Sequence, residues 1–140
     1  MPQQIREVMT KNPVTLPATA SLIDAARKMK ENDIGDVIVM KDPTHLCGIV
    51  TDRDIVVRAI ADGKDPSRIT LQEVCSSDVT TLAPTDPVDK AVQLMRDKAI
   101  RRLPVIENGK PVGIVSLGDL AQNRDPQSCL GEISASRPNN

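Results

Sequence analysis

Gly48-Ile49-Val50-Thr51-Asp52-Arg53-Asp54-Ile55 is the stretch that decides the fold, because the chain contains its pattern twice. It returns as Gly113-Ile114-Val115-Ser116-Leu117-Gly118-Asp119-Leu120, at an offset of 65 residues. Both copies keep one order: glycine, two branched apolar residues, a hydroxyl residue, two variable positions, aspartate and an apolar residue. A repeat of this length predicts two copies of one supersecondary unit. We therefore expect the function to come from what two such copies form together.

An apolar stripe at helical spacing lies upstream of this pattern in each copy. The stripe residues are Leu22, Ala25, Ala26 and Met29 in the first copy and Val88, Ala91, Val92 and Met95 in the second. Ser21 with Asp24 predicts a capping box at the start of the first helix. Asp86 and Pro87 predict the cap and the first residue of the second helix.

Short apolar runs rich in branched residues predict two strands in each copy. The first pair is 37–40 and 46–50, joined by a hairpin loop, and the second is 103–106 and 113–115, joined by a tight turn at 107–110. A helix is predicted from Asp54 to about Ala61, ending before Gly63. Residues 5–10 and 13–16 predict a helical lead-in and a short extended segment.

Each copy thus has the order strand, helix, strand, strand, helix, which predicts an α/β fold of the α+β type. We expect a three-stranded sheet of antiparallel hairpins in each copy. A unit of about 60 residues buries too little surface to be stable alone. The sequence therefore predicts two βαββα repeats packed sheet to sheet with pseudo-twofold symmetry. The predicted boundaries are 5–65 for the first repeat, 66–124 for the second and 125–140 for a flexible tail.

The composition excludes several classes of function. Among 140 residues there is no Phe, Tyr or Trp, so the core must be aliphatic and no aromatic ring can stack on a nucleobase. The net charge of −1 offers no basic footprint for a nucleic acid or an anionic membrane. No apolar run approaches the roughly 20 residues of a membrane span, and the first residues lack a signal-peptide pattern. We expect a cytoplasmic protein without nucleic-acid or membrane partners.

This arrangement resembles a tandem pair of CBS (cystathionine-β-synthase) domains. The resemblance runs from about Ile5 to Gln122 and rests on Val8-Met9-Thr10, the two Gly-Ile-Val stretches and the segment Ile100-Arg101-Arg102-Leu103-Pro104-Val105. It implies a stand-alone regulatory module rather than an enzyme. It also implies a homodimer and an adenine nucleotide (AMP, ADP or ATP) or S-adenosylmethionine as a ligand between the repeats, with no cofactor required. No catalytic constellation, P-loop or dinucleotide fingerprint is present in the sequence.

The hydroxyl residue and the aspartate of each copy have two interpretations. Thr51 with Asp54, and Ser116 with Asp119, fit ribose recognition, because an ionised carboxylate accepts both sugar hydroxyl protons. Backbone N–H groups at the same helix start favour a phosphate. The alternative is a helix N-terminal capping box, and the two roles are compatible.

The resemblance places the purine in an apolar slot of each copy. The walls would be Thr15, Val37 and Ile38 in the first copy and Thr81, Leu103 and Pro104 in the second. The alternative is that these are simply core residues of the strands.

The two copies differ in charge where a phosphate would bind. The second copy carries Arg101 and Arg102, and arginine holds a phosphate in a bidentate manner. The first copy has Gly35 and Asp36 at the matching positions, although Arg53 could compensate. We therefore predict that, if only one copy binds a nucleotide, it is the copy that contains Ser116 and Asp119. The alternative for the arginine pair is a solvated turn or a salt bridge across a dimer.

The single histidine and three cysteines leave two further functions open. His45 and Cys47 share one face of a strand, but two ligands do not make a metal site, and we predict none. Cys47 and Cys75 are expected to be free, buried thiols and Cys129 an exposed one in the tail. The alternatives to nucleotide sensing are a ligand-free docking or stress protein and, less well supported, a thiol- or zinc-based redox sensor.

Overall fold

The computed structural model describes residues 3–75 and 79–124. The chain divides into two compact units. The Thr51 unit comprises residues 13–79 and 108–110, and the Ser116 unit comprises 1–12, 80–107 and 111–140. The predicted flexible tail, 125–140, lies outside the described residues, as does Cys129.

Six strands and five α-helices make up the described part of the chain. The strands are β1 (Thr10–Lys11), β2 (Thr15–Pro17), β3 (Asp36–Asp42), β4 (His45–Thr51), β5 (Arg102–Glu107) and β6 (Lys110–Ser116). The helices are α1 (Leu22–Asn32), α2 (Asp52–Ile55), α3 (Leu71–Val74), α4 (Val88–Lys98) and α5 (Leu117–Arg124). A 3-10 turn (Ile5–Glu7) precedes β1, and a π-helical turn (Val56–Ile60) continues α2. The mixed α/β class is confirmed, and the first copy has the predicted order of elements. In the second copy the predicted first strand is reduced to a single bridge between Leu82 and Val105.

The sheet of the Thr51 unit has the order β2-β3-β4. The predicted hairpin of β3 and β4 is confirmed, and it places Asp36 directly opposite Thr51. Strand β2 runs parallel to β3, with Thr15 opposite Ile38, rather than antiparallel as predicted. The reason is that α1 lies between these two strands in the chain and returns it in the same direction.

The core of the Thr51 unit is aliphatic, as the composition requires. It joins the apolar stripe of α1 to one face of the sheet and to α3. Its buried members include Leu22, Ala25, Met29, Val37, Val39, Val50, Ala59, Leu71 and Val74. Ile38 is also buried, but it falls between Val37 and Val39 on a strand and so points to the opposite face of the sheet.

The sheet of the Ser116 unit has the order β1-β6-β5. Strand β1 was not predicted; it pairs antiparallel with β6, with Thr10 opposite Ile114 and Lys11 opposite Gly113. A side chain at Gly113 would collide with the side chain of Met9 and the carbonyl of Thr10, so this glycine permits the close approach of the two strands. The second Gly-Ile-Val stretch therefore holds the N-terminal segment as well as continuing into α5.

The core of the Ser116 unit repeats the pattern of the other unit. Its buried members are Ile5, Leu82, Val88, Ala91, Met95, Leu103, Val105, Val115 and Leu120. The lead-in is fixed by backbone bonds as well, since Ile5 donates its N–H to the carbonyl of Asp86 at 2.8 Å.

The two lead-in segments belong to different units from the repeats they precede. Ile5 precedes the first repeat but is fully buried in the core of the Ser116 unit. Leu71 stands 66 residues later, at the matching position before the second repeat, and is fully buried in the core of the Thr51 unit. Each unit therefore combines the lead-in of one copy with the sheet and helices of the other. The predicted boundary between the two repeats, at residues 65 and 66, describes the duplicated sequence and stays a prediction.

The N-terminal cap of α1 is the predicted residue, but the cap of α4 is not. Ser21 caps α1 as predicted, accepting a bond from the N–H of Asp24 at 3.1 Å. The prediction that Asp86 caps α4 was wrong, because Pro87 is the cap residue and makes no side-chain bond there. Asp86 instead accepts the N–H of Ala83 at 2.8 Å and so closes the preceding turn.

One of the two remaining segments differs in detail from its predicted form, and the other agrees with it. The helix predicted from Asp54 begins at Asp52, and its continuation winds as a π-turn in which Ala61 donates to the carbonyl of Val56 at 2.8 Å. The tight turn at 107–110 is confirmed, with positive φ at both Asn108 and Gly109 as a two-residue hairpin turn requires. Within the described part of the chain, no helix is both long and apolar enough to cross a membrane.

Candidate functional site

Both hydroxyl–aspartate pairs form reciprocal capping boxes of nearly identical geometry. Thr51 Oγ1 accepts from the N–H of Asp54 at 3.1 Å, and Asp54 Oδ2 accepts from the N–H of Thr51 at 2.9 Å. Ser116 Oγ and Asp119 Oδ2 accept from each other's N–H groups at 3.1 and 2.9 Å. The capping role is therefore real in both copies. It occupies Oδ2 of each carboxylate and leaves Oδ1 for a second role.

In each copy, one backbone hydrogen bond identifies the segment that lies beside the helix cap. The first helical N–H of α2, from Asp52, donates to the carbonyl of Gly35 at 3.0 Å. The first helical N–H of α5, from Leu117, donates to the carbonyl of Arg101 at 2.9 Å. Gly35 and Arg101 are thus structurally equivalent, as the sequence predicted. The acid Asp36 adjoins the first cap and the base Arg102 follows the equivalent position at the second.

The free oxygen of each carboxylate has a different neighbour in the two copies. Asp54 Oδ1 forms an ion pair with Arg58 Nε at 3.7 Å, and Arg58 also donates to the carbonyl of Val74 at 2.9 Å. From the described part of the chain, Asp119 Oδ1 accepts one long bond, from Thr10 Oγ1 at 3.4 Å. The position that matches Arg58 by the offset of 65 is Asn123, which carries no charge. Asp119 consequently keeps more of its acceptor capacity.

Thr10 and Arg58 are the two neighbours that sequence reasoning missed. Thr10 lies on β1, a strand of two residues that is too short to give a periodic signal. Arg58 stands four residues after Asp54, which is ion-pair spacing on a helix, and that spacing was the available clue.

The residues predicted to line an apolar slot divide into two groups. Val37 and Leu103 belong to the cores of their units, which is the structural alternative considered for them. Ile38 and Pro104 are also buried but are not members of those cores, as strand alternation requires.

The hydroxyl residues of the slot lie beside the same strands. Thr15 is the register partner of Ile38 on β3. The N–H of Leu82 donates to the carbonyl of Pro104 at 3.0 Å, which places Thr81 next to β5. Thr15 and Thr81 are both exposed, so their hydroxyls are accessible.

The predicted cations lie at the edges of the two caps. Arg101 is exposed and directly precedes β5, and Arg102 is half-buried as its first residue. Arg53 is exposed in the first turn of α2, where its N–H donates to Asp52 Oδ1 at 2.8 Å. The structure therefore brings Arg101, Ser116 and Asp119 into one region of the Ser116 unit.

The Ser116 unit also contains a cavity of about 580 Å³ between α4 and α5. Its lining is mainly apolar, with two arginines: Val92, Met95, Arg96, Ala99, Ile100, Arg101, Leu117, Leu120 and Ala121. Arg101 thus borders both this cavity and the cap of α5.

Within the described part of the chain, His45, Cys47 and Cys75 do not form a metal centre. Across residues 3–75 and 79–124, no group of three or more His, Cys, Asp or Glu side chains is placed to hold a metal ion. His45 is exposed and bonds Asp42 Oδ1 at 2.8 Å; this bond is the largest cause of the lowered pKa of Asp42. Burial and the neighbouring thiol of Cys47 raise the pKa of Cys75.

Comparison with known proteins identifies the family. The CBS domain model matches residues 5–60 and 71–125, which is most of the chain. The protein therefore belongs to the CBS-domain family and contains two tandem copies. The resemblance inferred from the two Gly-Ile-Val stretches is confirmed.

Two relatives in sequence are similar to most of this chain. The CBS domain-containing protein YhcV of Bacillus subtilis is 36% identical over 127 residues, covering 91% of this chain and 89% of that protein. An uncharacterized protein of Methanopyrus kandleri is also 36% identical, over 84% of this chain but only 61% of its own length.

Solved structures support the fold. Hypoxic Response Protein I, solved with two coordinated zinc ions, has a TM-score of 0.77 at 30% identity and covers 86% of this chain and 98% of its own. The protein of that name is from Mycobacterium tuberculosis. The CBS domain pair of MJ0100, solved with 5′-methylthioadenosine and S-adenosyl-L-methionine, has a TM-score of 0.80 at 25% identity, over 91% of this chain and 100% of that one.

Proposed function

We propose that the protein is a non-catalytic sensor that binds an adenine nucleotide or an adenosyl ligand at the Ser116–Asp119 cap. The observation that carries this proposal is the second oxygen of Asp119. It lies at a helix N-terminus beside Arg101, and among residues 3–75 and 79–124 its one hydrogen-bond partner is the hydroxyl of Thr10 at 3.4 Å. A ribose can replace that long bond with short charge-assisted ones.

The chemistry of the cap suits each part of such a ligand. Asp119 Oδ1 accepts hydrogen bonds from the sugar hydroxyls, while Oδ2 keeps the hydrogen bond from the N–H of Ser116. The first turn of α5 offers the positive end of a helix dipole to a phosphate or carboxylate, although the N–H groups of Leu117 and Asp119 are already donated within the protein. Arg101, whose backbone carbonyl adjoins the cap and whose side chain is exposed, is the residue that we propose as the planar cation for this anion. Ordinary hydrogen bonding and charge thus favour a sugar that carries an anion.

The family supports the class of ligand. One CBS domain pair of the same fold was solved with 5′-methylthioadenosine and S-adenosyl-L-methionine. The ribose of both molecules presents two vicinal hydroxyls, and Asp119 can accept hydrogen bonds from them. We assign AMP, ADP, ATP and S-adenosylmethionine as the compounds to test.

The first copy is the weaker candidate for the same role. Asp36 lies opposite Thr51 and repels an anion, while Asp54 already has a cationic partner in Arg58. Arg53 is the cation that could offset these effects, because it lies on the first turn of α2. Binding at a single copy is therefore expected.

Isothermal titration of the four adenosyl compounds into the wild-type protein and two matched variants tests the proposal. Asp119→Ala should weaken binding about 10- to 100-fold, since hydrogen bonds to a charged group contribute about 1.5–3 kcal/mol. Asp54→Ala removes the same capping bond from the first copy and serves as the control. Its affinity for the same compounds should change less than about twofold.

Three results would redirect the proposal. An affinity loss confined to Asp54→Ala would move the site to the first copy. Failure of every compound to bind or to raise the melting temperature would favour the ligand-free docking function. A thermal shift with zinc that disappears in Cys47→Ser would favour metal sensing.

We further propose that the protein acts as a homodimer. Val56, Val57 and Ile60 are large apolar side chains on the π-turn, and they are 56%, 46% and 53% exposed. A cluster of this kind is typical of an association surface. In sedimentation equilibrium the wild type should have twice the chain mass, and Val57→Asp should lower it toward one chain. Lys41→Asp, at an exposed position on β3, should leave the dimer intact.

A further inference from the structure

The cavity of the Ser116 unit lies on a different face of α5 from the Ser116–Asp119 cap. Leu117, Leu120 and Ala121, at the i, i+3 and i+4 positions of the helix, contribute to its lining. Asp119 is not one of its lining residues, because two helical positions rotate a side chain by about 200° from Leu117. The cavity is therefore a second feature of this unit and not the ribose site proposed above.

The interior of the cavity is apolar and reaches the core of the unit. Met95 and Leu120, which are buried members of that core, contribute to its wall. Val92 and Ile100 are half-buried and pack against the same core. The volume of about 580 Å³ lies within the range of pockets that hold small organic ligands, roughly 300–1,000 Å³. Such a lining favours an alkyl chain over a polar molecule.

Two cations complete the lining. Arg96, in the last turn of α4, and Arg101, just before β5, both have exposed side chains. Neither guanidinium makes an ion pair or a hydrogen bond with another residue among 3–75 and 79–124. No acidic side chain belongs to the lining within these same residues. The cavity thus offers uncompensated positive charge to an anion whose remaining part is apolar.

The corresponding positions of the Thr51 unit carry the opposite charge. Asp33 is the C-terminal cap of α1, with a φ of 57°, as Ala99 is the cap of α4, with a φ of 53°. Asp52 is the first residue of α2, where α5 begins with Leu117. Acids therefore stand in the first copy at two positions that are apolar in the second. This difference between the copies favours an anionic, partly apolar ligand in the Ser116 unit.

We propose that this cavity binds a free single-chain carboxylate of medium length, a fatty acid such as decanoate. Its alkyl chain lies against Met95, Ile100 and Leu120. Its carboxylate accepts charge-assisted hydrogen bonds from Arg96 and Arg101 at the exposed side of the cavity. The inference goes beyond adenosyl binding and does not depend on it, because the chain occupies the opposite face of α5 from Asp119.

Titration calorimetry with hexanoate, octanoate and decanoate, each below its micelle concentration, tests the proposal on the wild-type protein. The affinity should rise about fourfold for each added methylene until the cavity is filled, since burial of one methylene contributes about 0.8 kcal/mol. Decanol has the same chain length and no charge, so its affinity isolates the contribution of the arginines.

Two variants of matched charge test the contact with the carboxylate. Arg96→Gln should lower the affinity for decanoate about three- to tenfold, because it removes one charge-assisted hydrogen bond at an exposed site. The affinity of this variant for decanol, and for the adenosyl compounds, should stay within about twofold of the wild type. Lys98→Gln removes the same charge from the last turn of α4, outside the cavity lining, and should change none of these affinities.

Leu117→Asp transfers the acid of the first copy to the second. Leu117 is 43% exposed at the N-terminus of α5, where an acid is compatible with the helix. The affinity for decanoate should fall more than in Arg96→Gln, because the new carboxylate repels that of the ligand. A loss no larger than that of Lys98→Gln would contradict the proposal.

Amide NMR spectra locate the bound chain. Decanoate should shift the signals of Ala99, Ile100 and Ala121 most, and adenosine should not reverse these shifts. The proposal is overturned if no acid binds saturably, if Arg96→Gln weakens decanoate and decanol equally, or if the shifts centre on the π-turn (Val56–Ile60).

Two other occupants of the cavity have their own signatures. If the Ala121 signal shifts with protein concentration in the absence of decanoate, a second copy of the chain covers the cavity. Binding to phosphatidylglycerol vesicles without binding of the free acids assigns the cavity to a membrane lipid. Either result overturns the proposal.

Discussion

The Thr51 and Ser116 caps share one hydrogen-bond geometry and differ in what faces the remaining carboxylate oxygen. In the first copy that oxygen meets the guanidinium of Arg58 at 3.7 Å, and in the second it meets the hydroxyl of Thr10 at 3.4 Å. The two aspartates therefore have the same structural role but different capacity to accept a ligand. A repeated sequence pattern conserves the cap, and the neighbours decide whether the cap is also a site.

The largest expected effect comes from mutations that destabilise the core of one unit at a time. Ile5→Ala should lower the free energy of unfolding by about 2–5 kcal/mol, because it opens a cavity in a fully packed core. Hydrogen exchange should accelerate first in the Ser116 unit, which contains Ile5.

Leu71→Ala is the matched control for that experiment. Leu71 is equally buried but belongs to the core of the Thr51 unit, so exchange should accelerate first around β3 and β4. If both variants loosened the same unit first, the exchange of lead-ins between the copies would be refuted.

The charge difference between the copies can be tested through the ligand. Arg101→Gly gives the second copy the residue that stands at the matching position of the first. The affinity for AMP should fall about tenfold, as expected for the loss of one charge-assisted bond to a phosphate. Titration of adenosine, which has no phosphate, provides the control and should change little. An equal loss for AMP and adenosine would show that Arg101 acts on the fold and not on the anion.

The helix caps offer a smaller test within the two units. Ser21→Ala should cost about 1 kcal/mol in urea unfolding, because the hydroxyl holds the N–H of Asp24 at 3.1 Å. Pro87→Ala should cost less than about 0.5 kcal/mol, because the side chain of Pro87 makes no capping bond. Equal losses in the two variants would contradict the assigned cap of α4.

Acid should act gradually on the Thr51 unit. Four carboxyl groups with a lowered pKa belong to it: Asp24, Asp42, Asp65 and Glu73. Hydrogen bonds from Ser21, His45, Ser67 and Thr70, respectively, are the main causes.

A pKa that is lower in the folded state stabilises the protein above the unfolded value, near 4, and this stability is lost as the pH falls through the folded value. Amide NMR spectra recorded from pH 6 to pH 2.5 should show the weakening around these four residues. Since the groups are exposed, the effect is the smallest of the series. Loss of amide signals confined to the Ser116 unit would contradict it.

Much of the fold could be predicted because the evidence in the sequence occurs twice. The stripes of α1 and α4 and the hairpins β3–β4 and β5–β6 repeat at offsets of 65 or 66, so each prediction supported the other. The cap of α4 failed because Asp86 had a competing partner, the N–H of Ala83, that residue spacing does not reveal.

The candidate site was only half predictable for the same reason. Ser116, Asp119 and Arg101 could be found because they are near in sequence or belong to the repeated pattern. Thr10 could not, since it reaches Asp119 across 109 positions of the chain by means of a two-residue strand. Pairing between short segments that are far apart in the chain produces no periodic pattern in the sequence.

The placement of Ile5 and Leu71 has a consequence for how such a chain could arise. A protein with a single repeat could complete the same core only by receiving the lead-in of a second molecule. Duplication of its gene would turn that intermolecular exchange into an intramolecular one, because the linker keeps the second lead-in at a high local concentration. The two copies would then be free to diverge in charge, as Asp36 and Arg102 have done, without losing the partner that each unit needs to fold.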